Sequence, residues 1–173
     1  MKHRALPVPV ALAALAGALC TPLAHAGSKD VPLKATLNVE EHLGQLPKCI
    51  GANNEAPGPG GTITGSGQAS HLGSVTLNAS HCIAPGNGTQ LVIYRGELMF
   101  TAANGDLAYG RYSGVLTPTA PGVFRFQGDF HITGGNGRFD DASGNGQLSG
   151  TYYGSPATGV IAGTITASGR VSY

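Results

Sequence analysis

Val123-Phe124-Arg125-Phe126-Gln127-Gly128-Asp129-Phe130-His131-Ile132-Thr133, followed at once by Gly134-Gly135-Asn136-Gly137-Arg138-Phe139, decides the fold of this chain. Phe124, Phe126, Gly128, Phe130 and Ile132 share one parity, and Arg125, Gln127, Asp129, His131 and Thr133 share the other. Successive side chains of a strand point to opposite faces, so this alternation reads as a strand with one apolar and one polar side. The glycine run that follows reads as a turn. Neither part points to chemistry.

The same pattern extends outward from that strand. Short strands are expected at residues 35–41, 62–69, 71–81, 91–102, 107–117, 123–133, 147–153 and 158–171, with turn clusters such as Pro57-Gly58-Pro59-Gly60-Gly61 and Pro85-Gly86-Asn87-Gly88 between them. Asn104-Gly105, set between two such runs, predicts a type I′ hairpin turn with positive φ at both central residues. About eight strands at short spacing fit either a sandwich or a meander that closes on itself. The apolar face decides between them, because large residues alternate there with glycine: Tyr94, Gly96, Leu98 and Phe100, then Gly110, Tyr112, Gly114 and Leu116, then Gly150 and Tyr152. Glycines that let a sheet coil, covered by neighbouring aromatics, belong to a tightly curved sheet. The expected fold is therefore all-β, an antiparallel, meander-like closed β-barrel of about eight strands.

Residues 1–26 read as a secretory signal that is removed. Lys2, His3 and Arg4 give a positive start, residues 8–19 an apolar run, and Ala24-His25-Ala26 a small-residue cleavage site. The run is too short for a membrane span, so no transmembrane anchor is expected. Cleavage after Ala26 leaves a flexible mature N-terminus at 27–34 and a single barrel domain at 35–173, bound for secretion or the periplasm. Of the 147 residues that remain, 27 are glycine, and their position inside β-branched and aromatic runs assigns them to turns and curvature, not disorder.

Ten basic residues less Lys2 and Arg4 leave eight, against nine acidic, so the mature chain carries a net charge near −1. Its basic residues are scattered, which argues against nucleic acid as a partner. Cys49 and Cys82 remain in a chain bound for an oxidising compartment, and a disulfide between them is the expectation. Closing a loop of about 34 residues would contribute roughly 3–4 kcal/mol. No metal site and no cofactor is expected, since no zinc-type spacing, phosphate loop or nucleophile motif occurs.

Other candidate chemistry is thin. His71 and His81 share a parity, and on one unbroken strand both would point inward, roughly 33 Å apart and too far to share a metal ion. Asp129 and His131 share the polar face of their strand, where solvation explains them without catalysis. Arg95 and Glu97 read as a surface ion pair. No inward acid or base away from the rims is evident, so no catalytic residue is assigned.

Residues 132–144, Ile-Thr-Gly-Gly-Asn-Gly-Arg-Phe-Asp-Asp-Ala-Ser-Gly, resemble the GGTGRFxxAxG signature of the allene oxide cyclase and dirigent barrel superfamily, and residues 146–150 continue it as in small secreted bacterial relatives. Its signature positions here are Gly134, Gly135, Gly137, Arg138 and Phe139. Asn136 stands where Thr is commoner. The resemblance spans residues 90–152. It implies an eight-stranded antiparallel barrel with an apolar lumen that binds a small hydrophobic molecule, oligomeric in many plant members and so leaving a homo-oligomer open here. It carries no enzyme over, because no catalytic residue of the plant enzymes aligns one by one.

Three functions fit these residues. The first is a secreted barrel that binds a small apolar ligand in a lumen lined by Tyr94, Phe100, Tyr112, Phe124, Phe126, Phe130 and Tyr152. The second is an extracellular structural or interaction module with a packed barrel. The third is a cofactor-free cyclase or isomerase, which would need polar groups inside the lumen to stabilise developing charge. An open lumen of about 300 Å³ or more would favour binding, and a filled one structure.

Overall fold

The computed structural model describes residues 30–50 and 57–173; the expected signal segment and its cleavage site lie outside them. Eight strands follow in order: β1 (Asp30–Leu46), β2 (Gly58–Ala69), β3 (Gly73–Pro85), β4 (Leu91–Thr101), β5 (Leu107–Ala120), β6 (Val123–Gly135), β7 (Ser143–Ser155) and β8 (Val160–Ser172). Each pairs antiparallel with the next, and β8 pairs with β1, so the sheet closes into a barrel with no free edge. The alternation of β6 is seen directly: Phe124, Phe126, Phe130 and Ile132 are buried inside, while Arg125, Gln127, Asp129, His131 and Thr133 are exposed outside.

Three local expectations need correcting. β1 begins at Asp30, so residues 30–34 are not a flexible tail but pair with β8, because Leu33 continues the inward parity of Ala35, Leu37 and Val39. His71 is not in a strand; it occupies the turn between β2 and β3 with φ of 67°, exposed, so it shares no face with His81. The Asn104-Gly105 turn is not type I′, since only Gly105 of the two has positive φ, 88°. There the Gly105 N–H donates to the Ala102 carbonyl at 2.9 Å and the Ala102 N–H to the Asp106 carbonyl at 2.8 Å. That geometry fits a three-residue loop ending in a left-handed glycine, which needs one positive φ rather than two.

The glycine signature closes one end of the barrel. Gly134 and Gly137 hold φ of 144° and 57°, backbone that favours glycine, and a Cβ on Gly137 would run into the Asp106 carboxylate. The helical turn Gly137–Phe139 folds Phe139 inward until it is 1% exposed, edge-on to Tyr173 at 5.0 Å between ring centroids. Arg138 lies over the Phe139 ring at 4.7 Å and approaches Asp106 at 3.7 Å. The motif is thus more than a turn: it is the plug of this end.

At the other end the helical turn Pro47–Cys49 leaves β1, and Cys49 is bonded to Cys82 of β3 with Cα atoms 5.3 Å apart. Cys82 is fully buried, and Gly60 of β2, its register partner, leaves room for the bridge, since a Cβ there would stand 3.1 Å from Cys49 Sγ. The pairing expected from compartment is therefore present.

Candidate ligand site in the barrel lumen

Of the seven aromatic residues expected to line the lumen, six do. Phe100, Tyr112, Phe124, Phe126, Phe130 and Tyr152 are all buried on the inner face. Tyr94 is not. A bulge between β3 and β4 pairs Ser80 with Glu97 but Cys82 with Tyr94, and a second irregularity separates Ile93 from Gly96 on the β5 side. The extra residue reverses the parity of β4 above it, so Ile93 points inward and Tyr94 joins Cys82 on the outer side. Arg95 carries the strain of the bulge with φ of 49°. Nor does it pair with Glu97: Lys48 Nζ reaches Glu97 Oε2 at 3.0 Å, and Arg95 Nη1 donates to the Lys48 carbonyl at 3.0 Å.

The same end of the lumen also holds buried groups that carry chemistry. Among the described residues, Glu41 and His81 are the buried charged or polar groups, 3% and 2% exposed, both on the inner face. Glu41 follows Leu37 and Val39 on the inward parity of β1, and its register partners Ile63 and Ile161 flank it with hydrocarbon. His81 lies on β3 opposite the bulge of β4, with Gly61 as its register partner on β2. Missing side chains let these groups meet. A Cβ on Gly61 would run into Glu41 Oε1 and stand 3.1 Å from His81 Nε2, while a Cβ on Gly96 would overlap the Tyr112 backbone and ring. Glu41 therefore reaches across β2, and Tyr112 across β4, to the same imidazole.

The contacts are specific. His81 Nδ1 and the Tyr112 hydroxyl are 2.8 Å apart, with the rings edge-on at 82°. His81 Nε2 and Glu41 Oε1 are 3.1 Å apart but out of line for a hydrogen bond, and Nε2 has no other partner. Placing a lone pair of Nε2 against the carboxylate would be repulsive, so the proton of a neutral His81 belongs on Nε2, and Tyr112 then donates to Nδ1. Burial first, and the Glu41 charge second, push the Tyr112 phenol well above the ordinary tyrosine range; the same two causes raise Tyr152, with a smaller contribution from Tyr112. Both phenols keep their protons.

These groups border a cavity of about 40 Å³, otherwise lined by apolar side chains such as Ile63, Leu77 and Phe126. A second cavity of about 20 Å³ lies toward the Phe139 plug, bounded by Phe100, Phe130 and Leu72. The lumen is thus nearly filled, with room for a few water molecules and far below the roughly 300 Å³ of a typical ligand pocket. His81 faces inward as its strand parity predicts, and Glu41 joins it as a buried acid where no inward acid or base away from the rims was expected. Asp129 and His131 lie exposed on the outer face, where Gln147 donates to Asp129 at 2.9 Å. Among the described residues no cluster of metal-ligating side chains occurs and no helix is long and apolar enough to cross a membrane.

No family model matches the sequence, and no curated protein matches it. Among solved structures, the chain is similar to a pterocarpan synthase dirigent protein, with a TM-score of 0.47 and 13% identity over 89% of this chain and 94% of that one. A likeness at that level carries no argument about membership or activity.

Proposed function

We propose that this is an exported barrel that takes a small, mainly apolar molecule into the disulfide end of its lumen, with the Glu41–His81–Tyr112 group at the polar end of the ligand. The observation that carries this is His81 Nε2, buried without a hydrogen-bond partner beside a buried carboxylate. Leaving a buried polar group unpaired costs about 1–3 kcal/mol and a buried charge more, which a purely structural barrel would avoid with leucine or valine. The disulfide fits an oxidising destination. Binding requires the cavity to widen, as the aromatic side chains around it turn aside.

The cavity volumes favour a second reading, a packed extracellular module. An acid and a base facing the lumen meet one requirement of a cofactor-free cyclase or isomerase, but they name no reaction. Uptake of an apolar fluorescent probe, measured on the full chain and on Phe126→Ala, separates binding from packing. Phe126 is 4% exposed, and its truncation should cost about 3–5 kcal/mol while enlarging the lumen. Saturable uptake that strengthens in the variant supports a binder. A folded variant that still excludes the probe leaves the packed module.

A further inference from the structure

The charge inside the barrel narrows the chemistry of the ligand. Glu41 is the one carboxylate among the buried described residues, and no lysine or arginine among them forms an ion pair with it. Its neighbour His81 is engaged by Tyr112 on one side and misaligned on the other. The lumen thus sets the Glu41 carboxyl group in hydrocarbon, beside His81 and without a lysine or arginine partner, its desolvation already incurred on folding. A neutral hydroxyl could donate a single hydrogen bond there and would leave the charge uncompensated. A primary ammonium supplies three donors and the opposite charge, in surroundings where attraction is several times stronger than in water. The rings of Tyr112, Tyr152 and Phe126 border the same cavity and favour a cation as well.

We infer that the lumen ligand is a small hydrophobic amine, bound with its ammonium group on the Glu41 carboxylate and its hydrocarbon among the aliphatic and aromatic side chains beyond. This inference rests on the lumen-binding reading above. Anionic amphiphiles of the same shape are excluded by the same carboxylate.

Three probes with one branched four-carbon skeleton test it: 2-methylpropylamine, 2-methylpropanol and 2-methylpropanoate. Each is titrated at neutral pH into the intact protein and into Glu41→Gln, with the methyl resonances of Ile63 and Ile161, the register partners of Glu41, as reporters. The amine should bind at least tenfold more tightly than the alcohol, the carboxylate should not perturb these methyls, and Glu41→Gln should bring the amine to the level of the alcohol or below. Equal binding of amine and alcohol, or an amine preference that survives Glu41→Gln, overturns the inference. If the alcohol enters and the amine does not, the amine assignment falls and lumen binding stands. If none of the three perturbs the lumen methyls, both fall.

Discussion

At the Phe139 end the lumen is bounded by apolar side chains alone, with Phe130, Ile132, Leu72 and Phe139 filling it to a residual 20 Å³. At the disulfide end, Glu41, His81, Tyr112 and Tyr152 face a cavity twice that size, and one buried nitrogen there lacks a partner. Both ends belong to the same barrel, and the difference lies in the buried polar groups that, among the described residues, the disulfide end carries. The sealed end is an ordinary core, in which each methylene removed from water adds about 0.8 kcal/mol. The polar end gives up part of that gain, and groups held at such a cost are where function is sought first.

The largest expected effect breaks the comparison at its apolar side. Phe130 is 2% exposed and packs over Gly146, so Phe130→Ala should lower stability by about 3–5 kcal/mol in urea denaturation. It should leave probe uptake at the Glu41 end unchanged. A loss of uptake equal to that of a Glu41 variant would mean that the two cavities act as one site.

Next comes the bridge. Cys49–Cys82 closes a loop of 33 residues' separation and fixes the segment of β3 that carries His81, so its reduction should cost roughly 3–4 kcal/mol and shift the melting temperature clearly downward. The sharper readout is local: His81 ring resonances should broaden on reduction while those of Phe130 stay sharp. Melting that is indifferent to reductant would make the bridge structurally idle.

Much of this contrast was legible in the sequence, and the illegible part has one physical origin. Phe124, Phe126, Phe130 and Ile132 could be placed inside because β6 keeps its period-two pattern without interruption. Glu41 was equally legible in principle, since it extends the series Leu33, Ala35, Leu37, Val39 on one parity. What masks it is that a charged residue at a strand's end is ordinarily a rim residue. His81 was legible too, since it shares the inward parity of Val75 and Leu77 on β3; Tyr94 was harder. A bulge inserts one residue, reverses every face beyond it, and leaves no mark in sequence other than the unremarkable run Tyr94-Arg95-Gly96. The meeting of Glu41, His81 and Tyr112 depends on Gly61 and Gly96 facing inward from the strands between them, a register fact that no single strand contains. In the sequence Phe139 reads as part of a turn, because a helical turn of three residues carries no periodicity to show which side it buries.

A smaller effect appears at alkaline pH and belongs only to the polar end. Tyr112 and Tyr152 are raised well above their ordinary value of 10.0 in the folded protein, so the unfolded chain loses these protons first as pH rises. Fewer protons on the unfolded state mean that stability falls with pH, beginning near the ordinary tyrosine value, by up to about 1.4 kcal/mol per pH unit for each phenol. Tyr112→Phe should remove about half of that slope and Tyr152→Phe a similar share. An unaltered slope in both variants would move the alkaline transition to another group.

Equilibrium denaturation of Glu41→Gln against the parent protein, at neutral pH and without ligand, tests the central claim most directly. If Glu41 is kept as a ligand-facing charge at the expense of stability, neutralising it should leave the fold as stable or raise it by about 1–2 kcal/mol. A loss of about 3 kcal/mol or more would contradict the account and make Glu41 and His81 a structural ion pair that the barrel needs in order to fold.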